Sequence, residues 1–333
     1  MDIRILNKLK KEGKGYFGFE PVEFIVLDGG MNNLIYKILD KDNNVCLLKV
    51  YENDKRKRLE RESEALSYLY SLGFSVPRVI YIDQKDYFGI YSFEKGKPKK
   101  AEELSRAEIE GLVMFLIKLE DCRPEYDRFL LVDMPCLKMA DYFSNIDSRI
   151  DLIEGSLTKQ STEKFVNSFI KNNQVVEFLI SQKSILLSEM GKSDLENPLG
   201  VKEQVLSQVD FGPHNILFSE NKTAVIDFEK FGWDDPLRVV AQFVHHGKTV
   251  KMKTDNKKYF IETYFRNTKQ KCSDKRFNVV MRAVALDWIG MMTATLTPNR
   301  LAHYLNADPN LDKESYILNQ VNDIERRMKK YAG

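Results

Sequence analysis

The first hundred residues alternate between short apolar runs and polar turns. Five segments are apolar or alternate apolar with polar residues, and polar connections separate them. These segments are 22–27, 34–39, 45–51, 79–82 and 88–93. Runs of this length with tight connections, such as 28–33 and 40–44, are typical of antiparallel β-hairpins. The pattern therefore predicts a small antiparallel sheet.

Helical periodicity interrupts the sheet once and then dominates the rest of the chain. Segment 54–72 carries an apolar stripe and stops at Gly73, which predicts one helix. Segments 101–200 and 237–331 are mostly amphipathic helix by the same criterion. We therefore expect an N-terminal lobe at 1–92, a hinge at 93–96 and a helical C-terminal lobe at 97–333.

Lys49 is anomalous because it lies inside an apolar predicted strand, where an unpaired amine is costly to bury. Glu62 falls on the apolar stripe of the following helix and is equally out of place. An ion pair between Lys49 and Glu62, with the lysine directed at nucleotide phosphates, explains both residues. The alternative is a lysine that extends its amine to solvent and a glutamate at the rim, with no shared role.

A second hairpin is predicted where 216–218 and 224–226 flank a polar turn. Its two ends meet, so Asn215 before the first strand should lie beside Asp227 after the second. Amide and carboxylate oxygens suit Mg²⁺ if a nucleotide supplies further ligands. Asp210 lies five positions before Asn215, where a carboxylate can accept a proton from a hydroxyl. Each aspartate taken alone is also a common turn or cap residue.

The connection 28–33 and the segment after the sheet are candidate nucleotide contacts. Gly29 and Gly30 allow backbone N–H groups to approach phosphates closely, and Asn32 completes this candidate site. A plain hairpin turn explains the same glycines. In the hinge, the backbone of Ser92, Phe93 and Glu94 can hydrogen-bond an adenine edge, although an ordinary interdomain loop has the same sequence.

The ordered set of these motifs resembles the aminoglycoside phosphotransferase-like family, which is related to choline kinases and more distantly to protein kinases. The matching stretches occur in the family's order. They are 29–33, 47–50, 62–66, 210–215, 227–229 and 232–236, with a weaker match at 282–288. The resemblance implies an α+β, protein-kinase-like two-lobe fold, with a small antiparallel sheet and one helix in the first lobe and a large, mainly helical second lobe.

The same resemblance implies a role for each matching residue. Lys49 and Glu62 would orient the phosphates of ATP, and Ser92, Phe93 and Glu94 would contact the adenine. Asp210, in a catalytic loop at 208–215, would be the catalytic base. Asn215 and Asp227, the latter in a metal-binding segment at 227–229, would bind Mg²⁺.

Two positions depart from the family pattern. Gln208 stands where the family has a histidine two residues before the catalytic aspartate, and Val239 stands where it has an acidic residue. The histidine supports the loop through hydrogen bonds, which a glutamine amide can also make. We therefore expect activity to survive, and a buried contact near Val239 to be absent or replaced.

Charge narrows the choice of phosphoryl acceptor. Lys and Arg number 51 and Asp and Glu number 49, a formal charge of +2, so no acidic field favours a polycation. A hydroxyl of a neutral or anionic compound, such as a sugar or sugar derivative, is the predicted acceptor. The alternatives are a choline- or aminoglycoside-type kinase and a nucleotide-binding pseudokinase with a regulatory role. Choline would need an aromatic box, for which the candidates are Tyr142, Phe143, Trp233 and Trp288.

Other sequence features limit the partners and the compartment. The four cysteines lack paired metal spacing, no run is apolar enough to cross a bilayer, and the N-terminus lacks a signal pattern. A cytoplasmic enzyme without a membrane partner is therefore expected. The single lysine run at 95–100 lacks interleaved aromatics, so nucleic-acid binding is not expected. The oligomeric state is left open.

Overall fold

The computed structural model describes residues 3–27, 33–157, 164–220, 222–270, 272–307 and 311–331. The chain forms two compact units. The first unit comprises Met1–Glu103, Asp127–Asp133 and Gln208–Gly232, and the second comprises Leu104–Tyr126, Met134–Ser207 and Trp233–Gly333. Each predicted lobe is one continuous stretch of chain, whereas each compact unit combines segments that are far apart in the sequence. The lobe boundaries at 92 and 97 therefore stay a prediction.

Short strands make up the first unit's sheet and the later hairpin. In the described residues the strands are β1 (Glu23–Leu27), β2 (Leu34–Leu39), β3 (Val45–Val50), β4 (Val79–Asp83), β5 (Phe88–Ser92), β6 (Val205–Ser207), β7 (Ile216–Phe218), β8 (Thr223–Val225) and β9 (Gly232–Asp234). The first five form one antiparallel sheet in the order β1-β2-β3-β5-β4. This confirms the predicted strands and places β3, which carries Lys49, at the centre of the sheet.

Helices dominate the chain after the sheet. Those in the described residues are α1 (Ile3–Phe17), α2 (Arg58–Ser71), α3 (Arg106–Glu120), α4 (Met139–Leu157), α5 (Lys164–Asn172), α6 (Val175–Ser188), α7 (Lys192–Glu196), α8 (Pro236–His245), α9 (Thr254–Asn267), α10 (Asp274–Thr295), α11 (Pro298–Ala307) and α12 (Lys313–Tyr331). The small sheet followed by a large helical part, as expected from the periodicity, is confirmed.

Helix α1 adds a second helix to the sheet-containing unit, where the sequence pattern predicts only α2. Leu9 and Phe17 of α1 are buried in one apolar cluster with Ile38 and Phe88 of the sheet. Lys8 forms ion pairs with Asp83 at 2.8 Å and with Asp86 at 2.6 Å. Apolar burial and these ion pairs together attach α1 to the sheet.

Helix α2 presents the predicted stripe to the interior of the first unit. Leu59, Glu62, Ala65, Leu66 and Leu69 are all buried. Periodic spacing places these residues on one face, so Glu62 is carried into the interior with its apolar neighbours. The helix begins at Arg58, four residues later than the pattern predicts.

The hinge segment passes close to strand β7 in the same unit. Lys97 and Phe218 exchange two backbone hydrogen bonds of 3.0 Å. Gly96 has a φ of +134°, and a Cβ there would lie 2.8 Å from the carbonyl oxygen of Phe218. Only glycine combines this backbone conformation with so close an approach.

The second unit is built around α10, which packs against α4 and α8. The four aromatic residues considered for a choline box, Tyr142, Phe143, Trp233 and Trp288, are all buried here. Val239, one of the two departures from the family pattern, is also buried. In the part of the chain that the structure covers, no single helix has the length and apolarity of a membrane span, although the bent pair Asp274–Thr295 and Pro298–Leu305 passes that test together.

Candidate functional site

Lys49 lies at the centre of a buried cluster of charges in the first unit. Its Nζ atom is 2.7 Å from Oε2 of Glu62 and 2.5 Å from Oδ1 of Asp227. Oε2 of Glu229 lies 3.9 Å away. The predicted ion pair with Glu62 is therefore present, and the amine also contacts the predicted metal ligand Asp227.

The electrostatics of the cluster keep Lys49 charged. Burial alone would lower the pKa of its amine, but the charges of Asp227, Glu62 and Glu229 outweigh this effect and raise the pKa above its usual value. Burial raises the pKa of Glu62, while Lys49 opposes that shift. The site thus contains a permanent cation in a poorly solvated position, which is suited to an anionic ligand.

Glu62 connects three parts of the unit. It accepts a 2.7 Å hydrogen bond from the Tyr51 hydroxyl at the end of β3. The backbone N–H of Phe228 donates to its other carboxylate oxygen at 3.2 Å. Because Phe228 follows Asp227 directly, Glu62 positions both the lysine and the segment that carries the aspartate.

The hairpin of β7 and β8 brings Asn215 and Asp227 together as predicted. Ile216 pairs with Val225, and the N–H of Ile226 donates to the carbonyl of Asn215 at 2.9 Å. The Asn215 amide in turn donates to the backbone carbonyl of Asp210 at 3.0 Å. The loop before the hairpin and the segment after it are therefore held at one end of the hairpin.

Asp210 is partly exposed and lies between two basic side chains. Its carboxylate oxygens are 3.5 Å from Nζ of Lys230 and 3.7 Å from Nε2 of His214. Burial would lower the pKa of Lys230, but the charges of Asp210, Glu229 and Asp227 raise it overall. Lys230 therefore stays protonated beside the proposed base.

The backbone has a positive φ just before Asp210 and at Asp227 itself. Val209 has a φ of +53° and Asp227 has a φ of +66°. Positive φ is unusual for any residue with a Cβ, and especially for a β-branched one such as Val209. Strain of this kind concentrates where a chain must hold side chains in one orientation.

Gln208 supports this strained region. Its amide nitrogen donates hydrogen bonds to the backbone carbonyls of Ile226 and Asp227, the second at 3.0 Å. Gln208 is almost fully buried. These bonds are the loop support expected when glutamine replaces the histidine of the family pattern.

Sequence reasoning gave no role to four residues of the site. Asn33 and Glu229 were included only within the stretches 29–33 and 227–229, and neither Tyr51, which contacts Glu62, nor Lys230, which lies beside Asp210, was considered. Asn33 donates to Oε2 of the buried Glu229 at 2.5 Å, across 196 positions of sequence. Tyr51 lies two positions after Lys49, a spacing that places both side chains on one face of a strand. This two-residue alternation could have identified Tyr51 from the sequence. The contact between Asn33 and Glu229 joins distant segments, so no local sequence pattern could have predicted it.

Six predicted residues remain: three near the first hairpin connection and three in the hinge. Gly29, Gly30 and Asn32 fall outside the described residues. Ser92 donates to Glu94 at 2.9 Å, and Lys222 also contacts Glu94. The amine of Lys37 lies over the Phe93 ring at 5.2 Å. The structure does not bring these three hinge side chains into the Lys49 cluster, so a nucleotide contact there stays a prediction.

The donor set of the cluster fits a hard divalent cation. Asp227 supplies a partly exposed carboxylate, Asn215 supplies an amide oxygen at the adjoining end of the hairpin, and Glu229 lies near Lys49. Oxygen donors without thiolate or imidazole favour Mg²⁺ over softer metals.

Comparison with known proteins gives one family match. Residues 23–166 match the model of the phosphotransferase enzyme family, APH. No curated protein sequence matches the chain significantly. The matched range includes the sheet, α2 and the hinge, so it contains Lys49 and Glu62.

Solved structures share the fold over nearly the full chain. Spectinomycin phosphotransferase APH(9)-Ia, in complex with ADP and spectinomycin, has a TM-score of 0.68 and 15% identity, covering 97% of this chain and 98% of that one. Choline kinase LicA from Streptococcus pneumoniae has a TM-score of 0.62 and 14% identity, covering 98% and 99%. Amicoumacin kinase hAmiN, in complex with AMP-PNP, Ca²⁺ and Ami, has a TM-score of 0.63 and 10% identity, covering 99% and 94%.

Identities this low establish the fold rather than the substrate. The expected α+β, protein-kinase-like two-lobe fold is confirmed. The family match at 23–166 and this shared fold bear out the resemblance to the aminoglycoside phosphotransferase-like family.

Proposed function

We propose that the protein is an ATP-dependent kinase that phosphorylates a hydroxyl group of a small molecule, a sugar or sugar derivative. The observation that carries this proposal is the Lys49 cluster. One buried amine contacts the carboxylate of α2 and the carboxylate after the hairpin, at 2.7 and 2.5 Å. A lysine–glutamate pair next to a metal-binding aspartate is the arrangement that protein kinases use for phosphoryl transfer.

ATP is the proposed donor, with its phosphates near Lys49. The amine provides a fixed positive charge, and Glu62 holds it in place through the ion pair. Asn215 and Asp227 would hold Mg²⁺, which when bound neutralises phosphate charge. The solved kinases with ADP or AMP-PNP support nucleotide use by this fold.

Asp210 is the proposed base. Its carboxylate is partly exposed, so a substrate hydroxyl can reach it. Transfer forms a bond between the hydroxyl oxygen and the γ-phosphorus, breaks the bond from that phosphorus to ADP, and moves the hydroxyl proton to Asp210. Asn215 positions Asp210 through its hydrogen bond to the Asp210 carbonyl.

The aromatic residues of the second unit argue against a choline-type acceptor. The hydroxyl of Tyr142 donates to Asp235, and the indoles of Trp233 and Trp288 donate to the Tyr126 carbonyl and to Gln242. Buried rings with satisfied polar groups serve packing. Together with a net charge of +2, this supports an acceptor that is not a cation.

The test compares Asp210→Asn with Asp227→Ala in an assay of acceptor-dependent ADP release over sugars, amino alcohols and nucleosides. Asp210→Asn should lower turnover by roughly 10² or more and leave Mg-ADP affinity nearly unchanged, because it removes the base only. Asp227→Ala should weaken Mg-ADP binding.

Asp127→Asn, an exposed aspartate of the same unit, is the control and should behave as wild type. Unchanged turnover in Asp210→Asn would refute its role. Mg-ADP binding by the wild type without turnover of any acceptor would favour a regulatory nucleotide-binding module instead.

A further inference from the structure

A small cavity in the first unit is lined mainly by basic side chains. Its volume is about 10 Å³, which is room for one water-sized group. The lining residues are Arg56, Arg58, Arg61, Lys230, Asp133 and Glu229. Four cations and two anions face this space, so the lining has an excess of positive charge.

Arg61 contributes a charge that no contacting carboxylate neutralises. Its guanidinium donates to three backbone carbonyls: Arg56 at 2.9 Å, Leu131 at 2.7 Å and Phe231 at 3.1 Å. Among the described residues, no carboxylate forms an ion pair with it. Carbonyls satisfy its N–H groups without removing its charge, since arginine stays protonated in proteins. Asp133 of the same lining acts on that charge only through space, not as an ion-pair partner.

Two further cations of the lining are accessible. The Arg56 side chain is 40% exposed and the Lys230 side chain 34%. Arg56 is partly neutralised by Asp54 at 2.5 Å. Lys230 lies 3.5 Å from Asp210, so one end of the cavity lining adjoins the proposed base. An anion held here would therefore lie close to the reacting hydroxyl.

We propose that the acceptor carries an anionic group, a carboxylate or a phosphate, that binds at the cavity between Lys230 and the arginines Arg56 and Arg61. This inference rests on the proposed function. One oxygen of the group enters the cavity while its hydroxyl reaches Asp210. Guanidinium and ammonium groups bind such oxygens through short, charge-assisted hydrogen bonds. The same charges repel a cationic acceptor.

The first experiment measures binding of inorganic phosphate by calorimetry with saturating Mg-AMP-PNP, a non-hydrolysable ATP analogue, so that all three of the nucleotide's own phosphate sites are filled. The test variant is the double substitution Arg56→Gln with Lys230→Gln, which leaves the structural contacts of Arg61 intact. We expect the double variant to bind phosphate at least about tenfold more weakly, because two charged contacts are lost, and to bind Mg-ADP as wild type does.

Arg128→Gln is the matched control, since Arg128 is 42% exposed, lies in the same unit and pairs with Glu64 away from the cavity lining. It should leave phosphate binding unchanged. Equal phosphate affinity in the double variant, or no phosphate binding by the wild type, would overturn the proposal. A parallel loss of Mg-ADP affinity would also overturn it, because the cations would then serve the nucleotide.

The second experiment compares acceptors that differ only in charge: a neutral polyol, the corresponding hydroxy acid, its phosphate ester and an amino alcohol. ADP release should show kcat/KM at least about tenfold higher for the hydroxy acid or the phosphate ester, and the better of the two identifies the anion. Equal or faster turnover of the neutral or amino compound would refute the inference. ADP release from none of them would count against phosphoryl transfer itself, and the phosphate titration would then decide the anion site alone.

Discussion

Lys49 is a buried amine whose charge balances several carboxylates. Glu62 and Asp227 contact it directly, and Glu229 lies 3.9 Å away. Removing the amine leaves buried carboxylates without a balancing charge. This loss lowers the free energy of unfolding by more than the intact cluster contributes to it. The fold of this unit should therefore depend on Lys49 in a pH-dependent way.

We predict that Lys49→Met destabilises the protein by about 3–5 kcal/mol at pH 8 and by less at pH 5. Without the amine, the pKa of Glu62, already raised by burial, rises further in the folded state. A carboxyl with a raised folded pKa favours folding at low pH, and that contribution is lost as the pH rises through the folded pKa. Urea unfolding without Mg²⁺ at the two pH values measures the difference.

The control for this comparison is Lys41→Met at an exposed turn lysine. It should change stability equally little at both pH values. A Lys49→Met penalty that is independent of pH would show that lost packing, rather than unpaired carboxylates, causes the effect.

Gln208 is a positioning residue, and its substitution yields a second prediction. Gln208→Ala removes both hydrogen bonds to the Ile226 and Asp227 carbonyls and should cost about 1–3 kcal/mol of stability. It should also weaken Mg-ADP binding, since Asp227 loses its support. Gln208→His, which restores a donor, should recover part of that affinity. Nucleotide titration of the three proteins is the measurement, and equal affinities would argue for a purely local role.

Among the elements, the hinge depends on a single glycine. Gly96→Ala should destabilise the first unit by about 1–3 kcal/mol, because its φ of +134° and the nearby Phe218 carbonyl leave no room for a Cβ. Gly111→Ala is the matched control: it lies within α3 with nothing within 4 Å of its Cβ, and should stabilise by about 0.5–1 kcal/mol. The measurement is the free energy of unfolding of each variant in urea. An unchanged value for Gly96→Ala would disprove the steric argument.

Elements with a clear period were predictable, and α1 is the one described α-helix of the first unit that was missed. Strands β1 to β5 and the stripe of α2 follow from alternation and helical spacing, so Lys49 and Glu62 could be paired before any coordinates were known. Helix α1 buries Ile5, Leu9 and Phe17, which are four and eight positions apart and so lie on one helical face, a period that the sequence analysis did not use. Its burial depends on a sheet that forms from later residues.

Across the protein, the contacts that could not be predicted from the sequence are those between segments far apart in the chain. Asn33 and Glu229 are 196 positions apart, and Arg61 reaches the carbonyl of Phe231 across 170 positions. No local period encodes such pairs. The hairpin that joins Asn215 to Asp227 was predictable because its two strands are adjacent in sequence.

Nucleotide binding should protect the two compact units unequally. The Lys49 cluster draws on β3, α2 and Gln208–Gly232, all in the first unit. We predict that Mg-ADP slows amide hydrogen exchange in these segments and leaves α10, in the core of the second unit, unchanged. Exchange measured by mass spectrometry with and without Mg-ADP tests this. Slowing confined to α10 would place the nucleotide elsewhere, and Asp227→Ala serves as the non-binding control.

The positive φ of Val209 means that a substitution there would affect thermal stability and activity in opposite directions. Glycine at that position would relieve a conformation that costs a valine of order 1–3 kcal/mol, and so raise resistance to heat. The same freedom would let the neighbouring Asp210 sample other orientations. Stability would then be gained at the expense of turnover, the trade-off expected where a strained backbone holds a functional side chain in place.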